Sequence, residues 1–239
     1  MRLLCIGLSH KTAPLPLREA VTFPDGTNEL AKLHQRWGEA EFLLLNTCNR
    51  TELYTARPLH GHPREETLRD MIIARCPAQA EALKKALYVH VDAGAARHLF
   101  SVAAGLESLV PGESQIVSQV KRSLSLAQNA GTANTSMLSL VEEALHAARH
   151  VRRETGIAEG KVSAASVAFD AIGEVFPSLE DRCVLAVGGG KMGKLLLRLL
   201  QERRAGTILI ANRSYKRAKE LASSCNAQAV PFDALGERI

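Results

Sequence analysis

The apolar run Cys183-Val184-Leu185-Ala186-Val187 leads directly into Gly188-Gly189-Gly190-Lys191-Met192-Gly193, and then into a helix-forming stretch from Lys194 to Arg203. Strand, glycine turn and helix in that order leave few folds open. The glycines have GxGxxG spacing. Gly188 allows a tight turn, Gly190 lets a pyrophosphate approach the backbone, and Gly193 lets helix and strand pack closely. The helix N-terminus then faces the phosphates. Gly188, Gly189, Gly190, Lys191, Met192 and Gly193 are therefore candidate cofactor-binding residues. A second strand spans 207–211. An acidic residue at its end would bind a ribose 2′-OH, but the chain has Asn212-Arg213-Ser214 there, followed by Lys216 and Arg217. Arg213 with Ser214 suits a 2′-phosphate, so NADPH is expected rather than NADH. The later basic residues also fit a solvated helix face. A third strand is expected at 227–230, and the sequence stops at Ile239. A complete dinucleotide fold has six strands in the order 3-2-1-4-5-6, so only its first half is expected, with Cys183–Val187 left as an open edge. This reads as a truncated or fragmentary chain, with a natural short form as the alternative.

The N-terminal half is organised around a different turn. Phe42-Leu43-Leu44-Leu45 reads as a buried strand and Thr51-Glu52-Leu53-Tyr54 as a second one, with Thr47-Cys48-Asn49-Arg50 between them. Cys48 is then a thiol on a tight turn held by a sheet. Arg50 and free turn N–H groups would favour its thiolate. The alternative is a buried structural cysteine. Gly105 to Ile116 is rich in glycine and small polar residues, as suits either close approach to a polar ligand or an ordinary interhelix loop. Gln115 and Gln119 are four apart and share a helix face. His98 lies on a helix from Ala93 to Ala104, for which Asp92 is the expected N-cap. Beside Leu99-Phe100 it reads either as a packed core histidine or as a partner of Cys48. Thr135 to Thr155 is a long helix whose basic end, including Arg149, Arg152 and Arg153, suits either solvent or RNA phosphates.

Five cysteines without close pairs argue against a disulfide framework and a zinc site. Cys5 and Cys183 look like core filler. No metal is expected, including at His60 and His62. No run has signal-peptide or transmembrane length, so a reducing cytoplasm and no membrane association are expected. The net charge of +5 is compatible with a polyanionic partner without requiring one.

Several segments together resemble the glutamyl-tRNA reductase family: Gly7-Leu8-Ser9-His10-Lys11-Thr12-Ala13-Pro14, Thr47 to Tyr54, His98-Leu99-Phe100, Gly105 to Lys121, Val151-Arg152-Arg153-Glu154-Thr155, and the glycine turn. They occur in the family's order along the whole chain. The resemblance implies an α/β protein. An N-terminal α+β catalytic domain with its linking helix (1–156) precedes an incomplete Rossmann-type NADP-binding domain (157–239), and the family's C-terminal dimerisation domain is absent. It implies that Cys48 attacks the ester of glutamyl-tRNA to give a thioester, which NADPH reduces to glutamate-1-semialdehyde for tetrapyrrole synthesis. His98 would assist proton transfer or position the thiol, and Arg50 would meet the substrate's side-chain carboxylate. Thr47, Asn49, Ser108, Glu113, Ser114, Gln115 and Gln119 would surround the glutamyl group. The downstream glutamate-1-semialdehyde aminomutase is an implied partner, and a family-type homodimer is not expected. One departure is Pro111-Gly112-Glu113-Ser114, where many members have leucine first and proline in place of Ser114. A small change in loop stiffness is expected from it. Two other readings remain, a noncatalytic module that binds tRNA or NADPH and a shikimate-dehydrogenase-like NADP enzyme.

Overall fold

The computed structural model describes residues 1–159 and 163–237, apart from the side chains of Ala164, Lys191 and Glu237. They fall into two compact units, Met1–Glu159 and Gly160–Ile239.

The first unit is built on a four-stranded antiparallel sheet in the order β2-β3-β1-β4, with β1 at Arg2–Ser9, β2 at Glu41–Asn46, β3 at Arg50–Arg57 and β4 at Tyr88–Val91. Two helices, α1 (Leu15–Ala20) and α2 (Gly26–Arg36), connect β1 to β2, while α3 (Glu65–Ile73) and α4 (Ala80–Ala86) connect β3 to β4. Three longer helices follow: α5 (Ala93–Ala104), α6 (Gln115–Asn129) and α7 (Thr135–Glu154). Every residue of β3 from Arg50 to Ala56 is buried, so helices cover both faces of the sheet. The core is aliphatic, with Ile6, Leu8, Leu43, Leu45, Leu99, Val120 and Val141 all nearly inaccessible.

Some local expectations are corrected. The first helix, α1, ends at Ala20, and Val21 and Phe23 beyond it are buried. Asp92 does not cap α5 with its side chain. At φ 50° its carboxylate is directed back to β1, where it accepts from Leu3 N (3.0 Å) and pairs with Arg2 (3.0 Å).

In the second unit α8 (Ala164–Val175) is capped by Ser163, which forms a reciprocal box with Ser166. Three parallel strands follow in the order β5-β6-β7: β5 at Cys183–Val187, β6 at Thr207–Ala211 and β7 at Gln228–Val230. They alternate with α9 (Lys191–Glu202) and α10 (Tyr215–Ser224). The sheet is therefore the first half of a dinucleotide-type fold, with β5 at its edge. That edge corrects the reading of Cys183 as core filler. Cys183 is exposed and Val187 is 57% exposed, because nothing among the described residues pairs with that side of β5.

Candidate functional site

The β2–β3 turn is fixed by its own residues. Thr47 Oγ1 accepts from the backbone N–H of Asn49 and of Arg50 (both 3.1 Å), and Thr47 N donates to Arg50 O (2.8 Å). His10 N donates to Asn49 O (2.8 Å), which ties the turn to the end of β1. From α1, Arg18 Nη1 donates to Cys48 O and to Asn49 Oδ1. Cys48 is thus an exposed thiol at the apex of a braced turn. The sequence reading missed Arg18, which carries no local signal of its reach across to the turn. Arg18→Ala is expected to slow acylation of Cys48 roughly ten-fold or more by loosening the turn, with little change in melting temperature. An unchanged single-turnover rate would remove Arg18 from this role.

Beneath the turn lies a buried polar network centred on Glu52, whose side chain is fully inaccessible. Alternation along β3 puts Arg50, Glu52 and Tyr54 on one face. The register sets Gly7 opposite Glu52 and Tyr88 opposite Gly7, and α5 supplies His98. A Cβ at Gly7 would strike the Glu52 backbone and side chain, so glycine there makes the room that Glu52 occupies. Glu52 Oε1 accepts from Arg50 Nη1 (2.7 Å) and Tyr88 Oη (2.5 Å) and lies 3.0 Å from His98 Nε2, while Oε2 accepts from Tyr54 Oη (2.7 Å). Burial pushes the Glu52 carboxyl up. The His98 hydrogen bond, the Arg50 and His98 charges and the Tyr88 hydroxyl outweigh it and hold the pKa at about 2. An ionised carboxylate can only accept, so His98 carries hydrogen on Nε2, and its neutral form has its lone pair on Nδ1. The His90 ring stacks on His98 with centroids 4.3 Å apart. Burial first, then the neighbouring His98, lower the His90 pKa.

This arrangement answers two expectations. His98 is bonded to Glu52, and among the described residues no hydrogen bond joins it to the Cys48 thiol. Arg50 does not stand open toward a ligand. It is 2% exposed, with Nη1 on Glu52 and Nη2 donating to Glu107 O, because a carboxylate inside the sheet needs a counter-charge. A ligand carboxylate reaches Arg50 only if the Glu107 carbonyl yields Nη2.

The Gly105–Ser114 loop holds the remaining candidates. Ser108 is buried, Glu113 half-buried and Ser114 exposed just before α6. Gln115 and Gln119 follow on the first two turns of α6, both half-buried. Lys11 Nζ pairs with Glu107 Oε2 (2.5 Å), and Arg152 Nη2 donates to Gly112 O (3.0 Å) and Glu113 O (2.6 Å). Arg152 therefore fastens this loop to α7. Ser114 has φ −82°, near the proline range, so the backbone here tolerates the family's usual residue. Gly112 has φ 80°, and a Cβ on it would collide with Ile157 O. Gly112→Ala is expected to destabilise the protein by about 1–3 kcal/mol, seen as a lowered denaturation midpoint and easier proteolysis of the loop. An unshifted midpoint would contradict the packing described.

Cys5, Glu52 and His98 offer ligand atoms within 4.8 Å of one another. Both Glu52 oxygens are already occupied by donors, and burial, then the Glu52 charge, push the Cys5 thiol up. This is a hydrogen-bond network with little capacity for a cation.

In the second unit Gly188 has φ 103°, and a Cβ on Gly193 would strike Gly188 O, while one on Gly190 would meet nothing. The turn is thus tight on its protein side and open where a phosphate would lie. Gly189 N donates to Asn212 Oδ1 (3.3 Å), and Asn212 Nδ2 donates to Ser214 O (3.1 Å). Ser214 Oγ caps α10 through Arg217 N (3.4 Å), and Arg213 is exposed. The backbone of Lys191 opens α9, but its side chain lies outside the described residues. Met192 is half-buried on the same turn.

Fold and site together define a thiol-bearing α+β unit joined to half of a dinucleotide-type unit. Residues 6–155 match the model of the glutamyl-tRNAGlu reductase N-terminal domain, and residues 170–239 match shikimate/quinate 5-dehydrogenase. Glutamyl-tRNA reductase of Desulforudis audaxviator is 38% identical over 237 residues, covering 98% of this chain and 53% of that protein. The enzyme of Thermodesulfovibrio yellowstonii is 37% identical over 247 residues, covering 100% and 58%. The solved structure of glutamyl-tRNA reductase from Methanopyrus kandleri superposes with TM-score 0.61 at 33% identity, covering 99% of this chain and 55% of that one. The chain belongs to the glutamyl-tRNA reductase family. It spans about half the length of the curated relatives it matches. Among the described residues no helix is long and apolar enough to cross a membrane.

Proposed function

We propose that this chain performs the thiol chemistry of glutamyl-tRNA reduction. The Cys48 thiolate attacks the ester carbonyl that joins glutamate to the tRNA 3′ end. A C–S bond forms, the C–O bond breaks, and the leaving ribose oxygen takes up a proton, giving a glutamyl thioester and free tRNA. The observation that carries this reading is the exposed Cys48 thiol on a turn held by Thr47, His10 and Arg18. Thr47 and Asn49 hold the turn's shape. Glu52 orients both Arg50 and His98 from below. Arg50 receives the substrate carboxylate once the Glu107 carbonyl moves, and His98 manages a proton at Nδ1. Ser108, Glu113, Ser114, Gln115 and Gln119 border the glutamyl group.

The glycine turn fits a dinucleotide pyrophosphate, with Gly190 leaving the approach clear and Arg213 and Ser214 available to a 2′-phosphate. NADPH, if held there, would supply the hydride needed to take a glutamyl thioester to glutamate-1-semialdehyde. A cytoplasmic place at the entry to tetrapyrrole synthesis follows, with the aminomutase that consumes the aldehyde as a partner.

The test is to mix the chain with glutamyl-tRNA without NADPH and measure uncharged tRNA. A burst of about one tRNA per protein, absent in Cys48→Ser, is expected for covalent catalysis. If folded protein leaves the tRNA charged, a noncatalytic binding module becomes the better reading.

A further inference from the structure

Tyr88 and His90 share one face of β4, and the register sets His90 opposite Cys5 of β1. From α5, His98 lays its ring on that of His90, with centroids 4.3 Å apart and planes 23° from parallel. Tyr88 packs against the same His98 ring at a steep angle of 65°, with centroids 5.4 Å apart. Three groups therefore hold His98: Glu52 Oε1 at Nε2 (3.0 Å), His90 at one ring face, and Tyr88. The Glu52 bond alone does not orient the ring, because the χ2 torsion of histidine is broad. Nε2 lies nearer the axis of that rotation than Nδ1 does. Turning the ring thus disturbs the Nε2 bond less than it swings the Nδ1 lone pair. A flat ring stacked on the face opposes that turn. Burial first, then His98, lower the His90 pKa, while Glu52 and Glu107 act the other way. His90 is therefore an uncharged ring at neutral pH and adds no positive charge beside His98.

Resting on the function proposed above, we infer that His90 is a positioning residue: its ring clamps His98 in the one orientation in which Nδ1 handles the proton of Cys48 acylation. His90 acts through His98, and what it supplies is a flat face. An aliphatic side chain would fill this half-buried position without stacking, whereas a phenyl ring would stack without a nitrogen. Tyr88 does not replace it, since its hydroxyl is tied to Glu52 Oε1 (2.5 Å) and its ring crosses that of His98 steeply.

The test compares the wild type, His90→Phe, His90→Leu and His90→Ala in the full chain, with melting temperatures to check folding. The first readout is single-turnover release of tRNA from glutamyl-tRNA without NADPH. His90→Leu and His90→Ala are expected to lower the saturating rate about ten-fold, because orientation is lost. The half-saturating concentration should barely move, since no substrate contact is removed. His90→Phe is expected to restore most of the rate, which simple filling of space by leucine does not. The second readout is nuclear magnetic resonance of the His98 ring protons, assigned by their loss in His98→Gln. It reads the clamp without catalysis. Stacking predicts sharp signals displaced by the neighbouring ring in the wild type and His90→Phe, and broadened, undisplaced ones in His90→Leu and His90→Ala. His98 signals indifferent to His90, or a folded His90→Leu protein at the wild-type rate, would overturn the assignment. Displaced, sharp signals in a wild type that releases no tRNA would condemn the thiol reading while the clamp stands.

Discussion

Replacing Glu52 by alanine is expected to destabilise the first unit by about 3–5 kcal/mol, because it leaves the buried Arg50 charge uncompensated. Arg50 and Glu52 are 3% and 0% exposed at their side chains, and the Tyr54 and Tyr88 hydroxyls and His98 Nε2 lose their acceptor in the same step. Removing both charges together with similar volumes, as in Arg50→Met with Glu52→Leu, is expected to recover much of that stability while removing the proposed carboxylate contact. The same network gives a pH dependence. The Glu52 pKa is held near 2 in the folded protein, below the value of an exposed glutamate. Its stabilisation of about 3 kcal/mol is therefore present at neutral pH and is lost as pH falls from about 4.5 toward 2. Urea titrations of the wild type and Glu52→Gln across that range check this. A Glu52→Ala penalty below about 1 kcal/mol, or identical acid profiles, would mean that the network is not what holds the sheet.

The second large effect is on chemistry. Cys48→Ser is expected to lower tRNA release by at least a thousand-fold, as removal of a nucleophile does elsewhere. Serine keeps nearly the same size on an exposed turn whose brace runs through Thr47 Oγ1 and the backbone carbonyls of Cys48 and Asn49. The melting temperature should therefore barely move. A folded Cys48→Ser protein that still releases tRNA at a comparable rate would place the nucleophile elsewhere.

How much of this the sequence disclosed depended on the range of the interactions. The β2–Cys48–β3 unit was legible because an apolar run, a short polar turn and an alternating run are local signals. The glycine turn was legible for the same reason, as was the half-sheet with its open edge. Glu52 was not legible. A glutamate in an alternating strand looks solvated, and only the pairing of β3 with β1 and of β1 with β4, plus α5, surrounds it with donors. Arg18 and Arg152 were hidden likewise, since each grips a backbone 30 or more residues away. Asp92 misled because the residue type suited an N-cap, whereas its positive φ turned the carboxylate to β1. Cys183 misled because its apolar neighbours suggested burial, whereas the open edge expected for its own strand leaves it exposed.

The most direct measurement is the intact mass of the protein after incubation with glutamyl-tRNA and no NADPH, followed by peptide mapping. A single added glutamyl group on Cys48, removed by hydroxylamine and absent in Cys48→Ser, is the predicted result. Unmodified, folded protein beside consumed glutamyl-tRNA, or a glutamyl group on another residue, would contradict the account.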